Sequence, residues 1–234
     1  MLQNIKELYG NKLAASDGEI GIIKDLYFDD QRWAVRYVVA ETGAWLTGRA
    51  VLISPHAFGE LDTDKKQLHL NLTRAQIEKS PSIESHRPVS RQYEQDYYSY
   101  YGWPTYWSGD LMWGVAGFPG VNVPPAGVPV GASLQHGHNQ QNDLHLRSTQ
   151  EIIGYAIEAT DGPIGTVASF MVDDKSWAVG ELVVEAGHWY SGKEILISSS
   201  KIISISYEES KVFVNLSQTD IRHTAENEVA EAGA

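Results

Sequence analysis

The residues of this 234-residue chain whose types and spacing could do chemistry fall into a few groups. Adjacent carboxylates stand at Asp29-Asp30 and again at Asp173-Asp174. Several carboxylate oxygens together can hold a hard divalent cation. Neither pair sits in a loop of alternating oxygen donors, however, and Asp beside Gln, Arg, Lys or Ser is the composition of a hairpin turn whose carboxylate bonds its own backbone. The turn is the expected role. His136, His138 and His145 are the densest histidines, and neutral imidazoles at His-x-His spacing can bind zinc or nickel. Their Gln/Asn-rich surroundings offer no rigid scaffold to orient the rings. No metal site is assigned, and these three remain the candidates for one. Glu41 and Glu185 each close an apolar run before a Gly turn, where a carboxylate could act as a general acid or base but is expected to bond its own turn. No Gly-x-Ser-x-Gly elbow and no phosphate-cradling glycine loop before a helix is present. We therefore expect no catalytic residues and no cofactor.

The densest feature is aromatic. Tyr93, Tyr97, Tyr98, Tyr100, Tyr101, Trp103, Tyr106, Trp107 and Trp113 crowd into one span between residues 80 and 150, and disordered linkers are poor in such residues. A helix is expected over 89–101, placing Tyr93, Tyr97 and Tyr101 on one face. Gly102 and Pro104 would end it. Residues 115–131 are Pro/Gly-rich, which suggests extended chain, with a PxxP-type ligand conceivable around Pro124–Pro129. Two roles stay open for the aromatics. They pack against the flanking units, or they form a partner-binding surface for which Tyr97, Trp103, Tyr106 and Trp107 are the candidates.

The elements that must position these residues come from a duplication. A gapless self-match at an offset of 144 residues runs from Gly10 to Ile77, with roughly a third of positions identical. It pairs Asp17/Asp161, Gly18/Gly162, Gly21/Gly165, Asp29/Asp173, Trp33/Trp177, Trp45/Trp189 and Asn71/Asn215. Asp-Gly is a strong turn signal ahead of the β-rich run Ile20 to Phe28. A polar turn and a second run from Trp33 to Ala40 complete a hairpin. A third strand is expected over 45–54, bent at Gly48, and a shorter one over 67–72. Thr73, like Ser217, should cap a short helix. Short strands, polar turns and partly apolar faces suggest two small closed sheets. The matched positions also diverge at Arg36/Gly180, Tyr37/Glu181, Ala44/His188 and Ala50/Glu194.

The run of DG-x-IG, DD-x-x-W, VV-E-x-G-x-W and L-I-S, present in both copies, resembles the PRC-barrel family. That family includes the cytoplasmic barrel of the photosynthetic reaction-centre H subunit and the C-terminal barrel of a ribosome-maturation factor. The resemblance implies a mainly β chain of two tandem barrels: repeat 1 over 1–80, a connecting segment over 81–147, repeat 2 over 148–222 and a disordered tail over 223–234. It also implies a non-enzymatic protein-interaction or scaffold role, the two barrels forming an intramolecular pseudo-dimer that docks on a protein partner or on another copy. Docking on a ribosomal protein or RNA, and a small-ligand or metal-dependent enzyme at the barrel junction, are the alternatives.

A formal charge of −12, with 18 basic against 30 acidic side chains, disfavours nucleic acid as a partner. The chain has no cysteine, and its N-terminal residues lack a signal-peptide pattern. With no apolar stretch long enough to span a bilayer, it is expected to be cytoplasmic.

Overall fold

A computed structural model describes residues 1–46, 49–81, 89–120, 146–187 and 193–221. His136, His138, His145, His188, Gly48, residues 121–131 and the expected tail therefore lie outside the described residues. The chain opens with β1 (Leu2–Asn4) and the single turn α1 (Ile5–Leu8), followed by β2 (Lys12–Ala15), β3 (Gly18–Asp29), β4 (Ala34–Glu41), β5 (Ala50–Ile53), β6 (Phe58–Asp62) and β7 (Gln67–Leu70). Helices α2 (Arg74–Glu78) and α3 (Arg91–Tyr101) come next. The second copy repeats the series as β8 (Leu146–Ser148), α4 (Thr149–Ile152), β9 (Ala156–Ala159), β10 (Gly162–Asp173), β11 (Val179–Ala186), β12 (Glu194–Ser198), β13 (Ile202–Ser206) and β14 (Lys211–Val214). The molecule is thus mainly β, with two sheets of seven strands among the described residues.

Each copy forms its own sheet, ordered β5-β4-β3-β2-β7-β6 in the first and β12-β11-β10-β9-β14-β13 in the second. The seventh strand of each comes from the other copy. β1 pairs with β10, and β8 pairs with β3, both antiparallel. The registers correspond position for position: Leu2 lies opposite Asp173 as Leu146 lies opposite Asp29, and Asn4 opposite Met171 as Ser148 opposite Tyr27. The first residues of the chain, expected in the first unit, thereby complete the second sheet. Exchange of this kind satisfies backbone groups that an open edge would leave bare.

The self-match explains other local features. A Cβ on Gly21 would lie 2.1 Å from the Glu41 carbonyl oxygen, and one on Gly165 would lie 2.1 Å from that of Glu185, so neither strand crossing admits a side chain. Glu41 and Glu185 are themselves exposed, and it is their backbone, not their carboxylates, that closes on the two glycines. Trp33 and Trp177 adopt φ of 51° and 57°, a left-handed conformation unusual for an aromatic residue. Their carbonyls then meet across the junction: Val35 N donates to Trp177 O at 2.8 Å and Val179 N donates to Trp33 O at 2.7 Å. Phe28 packs on Phe170 and Phe58 on Trp177, with ring centroids 5.3 and 4.6 Å apart, so one apolar core runs through both copies. The strand expected over 45–54 is shorter, because residues 43–46 form a turn and pairing resumes at Ala50.

Polar groups lock the exchanged segments. Ser148 caps α4, and Asp25 from β3 accepts from Ser148 Oγ, Thr149 Oγ1 and the Gln150 amide at 2.5, 2.9 and 3.1 Å. Burial pushes the Asp25 carboxyl up from its ordinary value, opposed by these bonds. At the matching place Ser169 Oγ reaches Asn4 Oδ1 at 2.5 Å.

Candidate functional site

The two copies differ most where α3 and the chain after it cover the first sheet. Helix α3 starts at Ser90, whose side chain accepts from the Tyr93 amide, and stops at Gly102, which takes φ of 69°. The expected Tyr93–Tyr97–Tyr101 stripe faces inward. Tyr97 and Tyr98 are both fully buried, each worth about 1.5–3 kcal/mol of apolar burial. Tyr97 Oη donates to Leu52 O and accepts from Ser54 N, which ties the helix to β5. The carboxylate of Glu94, also fully buried, accepts at Oε1 from Tyr37 and Tyr106 hydroxyls, both at 2.8 Å. Arg91 supplies the counter-charge, with Nη1 3.0 Å from Glu94 Oε2. Buried beside this carboxylate, the Tyr37 hydroxyl is held far above its ordinary pKa.

Residues 103–120 are pinned to β4 and the turn before it by two arginines. Arg32 donates to the carbonyls of Tyr106, Gly109 and Leu111 at 2.6, 2.7 and 2.9 Å. Arg36, fully buried, donates to Met112 O at 2.8 Å and pairs with Asp29 at 3.0 Å. Its guanidinium lies 4.0 Å from the centroid of Tyr106 and 4.8 Å from that of Trp113. Trp113 reaches the second copy, its indole N–H donating to Ser176 O at 2.9 Å. The matched positions of the second copy hold Gly180 and Glu181, which cannot make these bonds. The divergence at Arg36/Gly180 and Tyr37/Glu181 is therefore the structural signature of the covered sheet.

The aromatic candidates differ in exposure. Tyr97 and Tyr106 are buried; Trp103 and Trp107 are half-buried, the latter under the Arg91 guanidinium at 4.3 Å. The apolar groups left on the surface of this segment are Leu111, Val115 and Phe118, at 52, 55 and 53 % exposure. Sequence reasoning missed them because the aromatics drew the eye to the residues that fold the segment rather than to those it displays.

Between α2, α3 and residues 103–120 lies a cleft of about 470 Å³, lined among the described residues by His56, Asn71, Gln76, Tyr100, Tyr101 and Trp103, together with Leu72 and Gly120. That volume lies in the range of small-ligand sites. Trp103 stacks on Tyr101 at 4.4 Å and on His56 at 5.5 Å. Burial, with the charge of Arg36 nearby, pushes the His56 imidazole down to about 4, so the ring is neutral at neutral pH.

The paired carboxylates act in turns. Asp29 Oδ1 accepts from the Gln31 and Arg32 amides, Asp173 Oδ1 from the Lys175 and Ser176 amides. Asp30 pairs with Arg147 at 2.6 Å, while Asp173 and Asp174 lie 3.3 and 2.5 Å from the amino group of Met1. Among the described residues no group of three His, Asp or Glu side chains converges as a metal site, and no helix is long and apolar enough to cross a membrane. Against the known protein families and the curated proteins, the chain matches none.

Proposed function

We propose that the chain is a non-enzymatic docking module in which two PRC-type barrels form an intramolecular pseudo-dimer, and that it presents residues 103–120 to a protein partner. The observation that carries this reading is the apolar trio Leu111, Val115 and Phe118. These residues stand in solvent on a segment whose backbone is held by Arg32, Arg36 and the bridge pairs Leu111–Gly114 and Trp113–Ala116. A rigid, pre-formed apolar patch lowers the ordering cost of association, which is the property of a docking surface. The partner is read as a protein because the chain carries net negative charge, and the location is read as cytoplasmic.

The test is affinity capture with the native chain beside Leu111→Ser/Val115→Ser/Phe118→Ser, whose side chains are exposed enough for the fold to survive. A protein retained by the native chain, lost with the variant, and bound again when purified and mixed with the native chain alone supports the reading. Equal retention by both forms would refute it. Co-sedimentation of both with ribosomal particles at low salt would favour the ribosome-docking alternative.

A further inference from the structure

The cleft beside Trp103 contains polar groups that the fold does not use. Gln76 closes the capping box of α2 with its Oε1, which accepts from the Thr73 amide and hydroxyl; its Nε2 hydrogens have no protein partner among the described residues. Asn71 donates through Nδ2 to Phe58 O at 3.2 Å, and its Oδ1 has no hydrogen-bond partner among the described residues. His56 engages Ser54 Oγ through Nδ1 at 3.1 Å, and its Nε2 has no hydrogen-bond partner among the described residues. The Trp103 indole N–H likewise makes no hydrogen bond within the described residues, unlike that of Trp113. The residues lining this concavity therefore carry two donors, one acceptor and an imidazole nitrogen left over, and none of those described is Asp, Glu, Lys or Arg.

The rings narrow the ligand further. Trp103 is stacked between Tyr101 and His56, at 11° and 21° to them, so its faces are engaged and the cleft meets ring edges. A planar base or a proline ridge is gripped between parallel rings or in an apolar slot, and the mutual stacking of Tyr101, Trp103 and His56 leaves no such slot among the described residues. Tyr100, 42 % exposed, is the ring with an accessible flank, and its hydroxyl is fixed by donation to Gln76 O at 2.9 Å. The second copy supplies a comparison. Asp220 stands in the capping box where the first copy has Gln76, so the cap is served equally by a carboxylate. The first copy, which lines this cleft, carries the amide with its spare N–H groups.

We propose that this cleft is a binding site for a neutral polyhydroxy ligand, a sugar of one or two rings, whose hydroxyls meet Gln76 Nε2, Asn71 Oδ1, the Trp103 indole N–H and His56 Nε2 while an apolar sugar face rests on Tyr100. Hydroxyls both donate and accept, which matches the mixture of unused groups, and a neutral ligand matches an uncharged lining. This proposal does not rest on the protein-docking reading.

The experiment follows the Trp103 indole N–H by NMR of the full chain with nitrogen-labelled Trp, assigned with Trp103→Phe, during titration with glucose, galactose, mannose, xylose, N-acetylglucosamine, maltose and cellobiose. Glucuronate, inorganic phosphate and a proline-rich peptide are the contrasting probes. Expected is a saturable shift with at least one neutral sugar, weakened about tenfold in Gln76→Glu, which keeps the cap acceptor but removes the donor. An unchanged thermal midpoint in that variant would separate recognition from folding. No shift with any neutral sugar up to about 50 mM, where a millimolar site is nearly full, overturns the proposal. So does a shift produced only by the charged or proline-rich probes, or sugar binding of equal strength in Gln76→Glu.

Discussion

Replacing Arg36 with Met leaves most of the buried stem and removes the guanidinium. The change strips Asp29 of its counter-ion at 3.0 Å, the Met112 carbonyl of its donor at 2.8 Å, and the Tyr106 and Trp113 rings of the cation lying 4.0 and 4.8 Å from their centroids. Removing one partner of a fully desolvated pair costs about 3–5 kcal/mol, because the other charge stays buried without compensation. Asp29 keeps the Gln31 and Arg32 amides, so the cost should fall toward the lower end of that range. The second copy shows that the turn itself has no need of an arginine: Asp173 makes the equivalent amide bonds with Gly180 in the place of Arg36. The damage should therefore concentrate in the covering segment. Urea unfolding of Arg36→Met, Asp29→Asn and the double variant forms the cycle, and the double variant should cost about 1–3 kcal/mol less than the sum of the singles. Hydrogen exchange should speed up at the Leu111, Trp113 and Gly114 amides, whose bonds close the loop that Arg36 supports. A single-variant cost below about 1 kcal/mol, the value of a solvent-exposed pair, would refute the reasoning. Additive singles or unchanged exchange at those three amides would do the same.

Three further outcomes follow from the same structure. His56 has its folded value lowered to about 4 from 6.5, so the unfolded chain binds more protons between those values; stability rises with pH across that window and is lost on acidification, by roughly 3 kcal/mol from pH 7 to below 4. Unfolding of the native chain against His56→Phe at several pH values should show this excess acid sensitivity in the native chain alone. Asp25 has the opposite sign: its folded value is raised, so the folded chain binds more protons and stability falls as pH rises through and just above the ordinary carboxylate range. Asp25→Asn should flatten that decline, while Asp25→Ala, taking the acceptor from the Ser148 hydroxyl and the Gln150 amide at the junction, should cost about 1–3 kcal/mol in urea unfolding. Lys66 and Ser210 hold φ of 52° and 50° at matched hairpin turns, so Lys66→Gly and Ser210→Gly should each raise the thermal midpoint slightly, relief of about 1–2 kcal/mol being partly offset by glycine's entropy.

How much of this was legible in the sequence depended on whether a residue's partner was near it in the chain or matched across the repeat. Gly21/Gly165, the Asp29/Asp173 turns and the Thr73 cap carry local signals, and the structure places each in a corresponding role in both copies. The exchange of β1 and β8 was readable but faint. Continued backwards, the offset pairs Leu2 with Leu146, Glu7 with Glu151, and the two helix caps Asn4 and Ser148. Three-residue strands carry too little periodicity to show which sheet they join.

The covered face was hidden for a different reason. Sequence alone marks Arg36 and Tyr37 as divergent but cannot say toward what, since their partners Met112, Tyr106 and Glu94 lie well over fifty residues away. Once those contacts are known, the asymmetry gains a physical reason. A duplicated pair of identical sheets would offer both outer faces to the same partners. Placing an arginine and a tyrosine on one copy, with a glycine and a glutamate on the other, commits the aromatic segment to a single sheet. The cleft and the displayed apolar trio are both products of that commitment, since Trp103 and Leu111 belong to the same clamped segment. Loosening the Arg36 clamp should therefore disturb both together, whereas Gln76→Glu should alter the cleft and leave the trio in place.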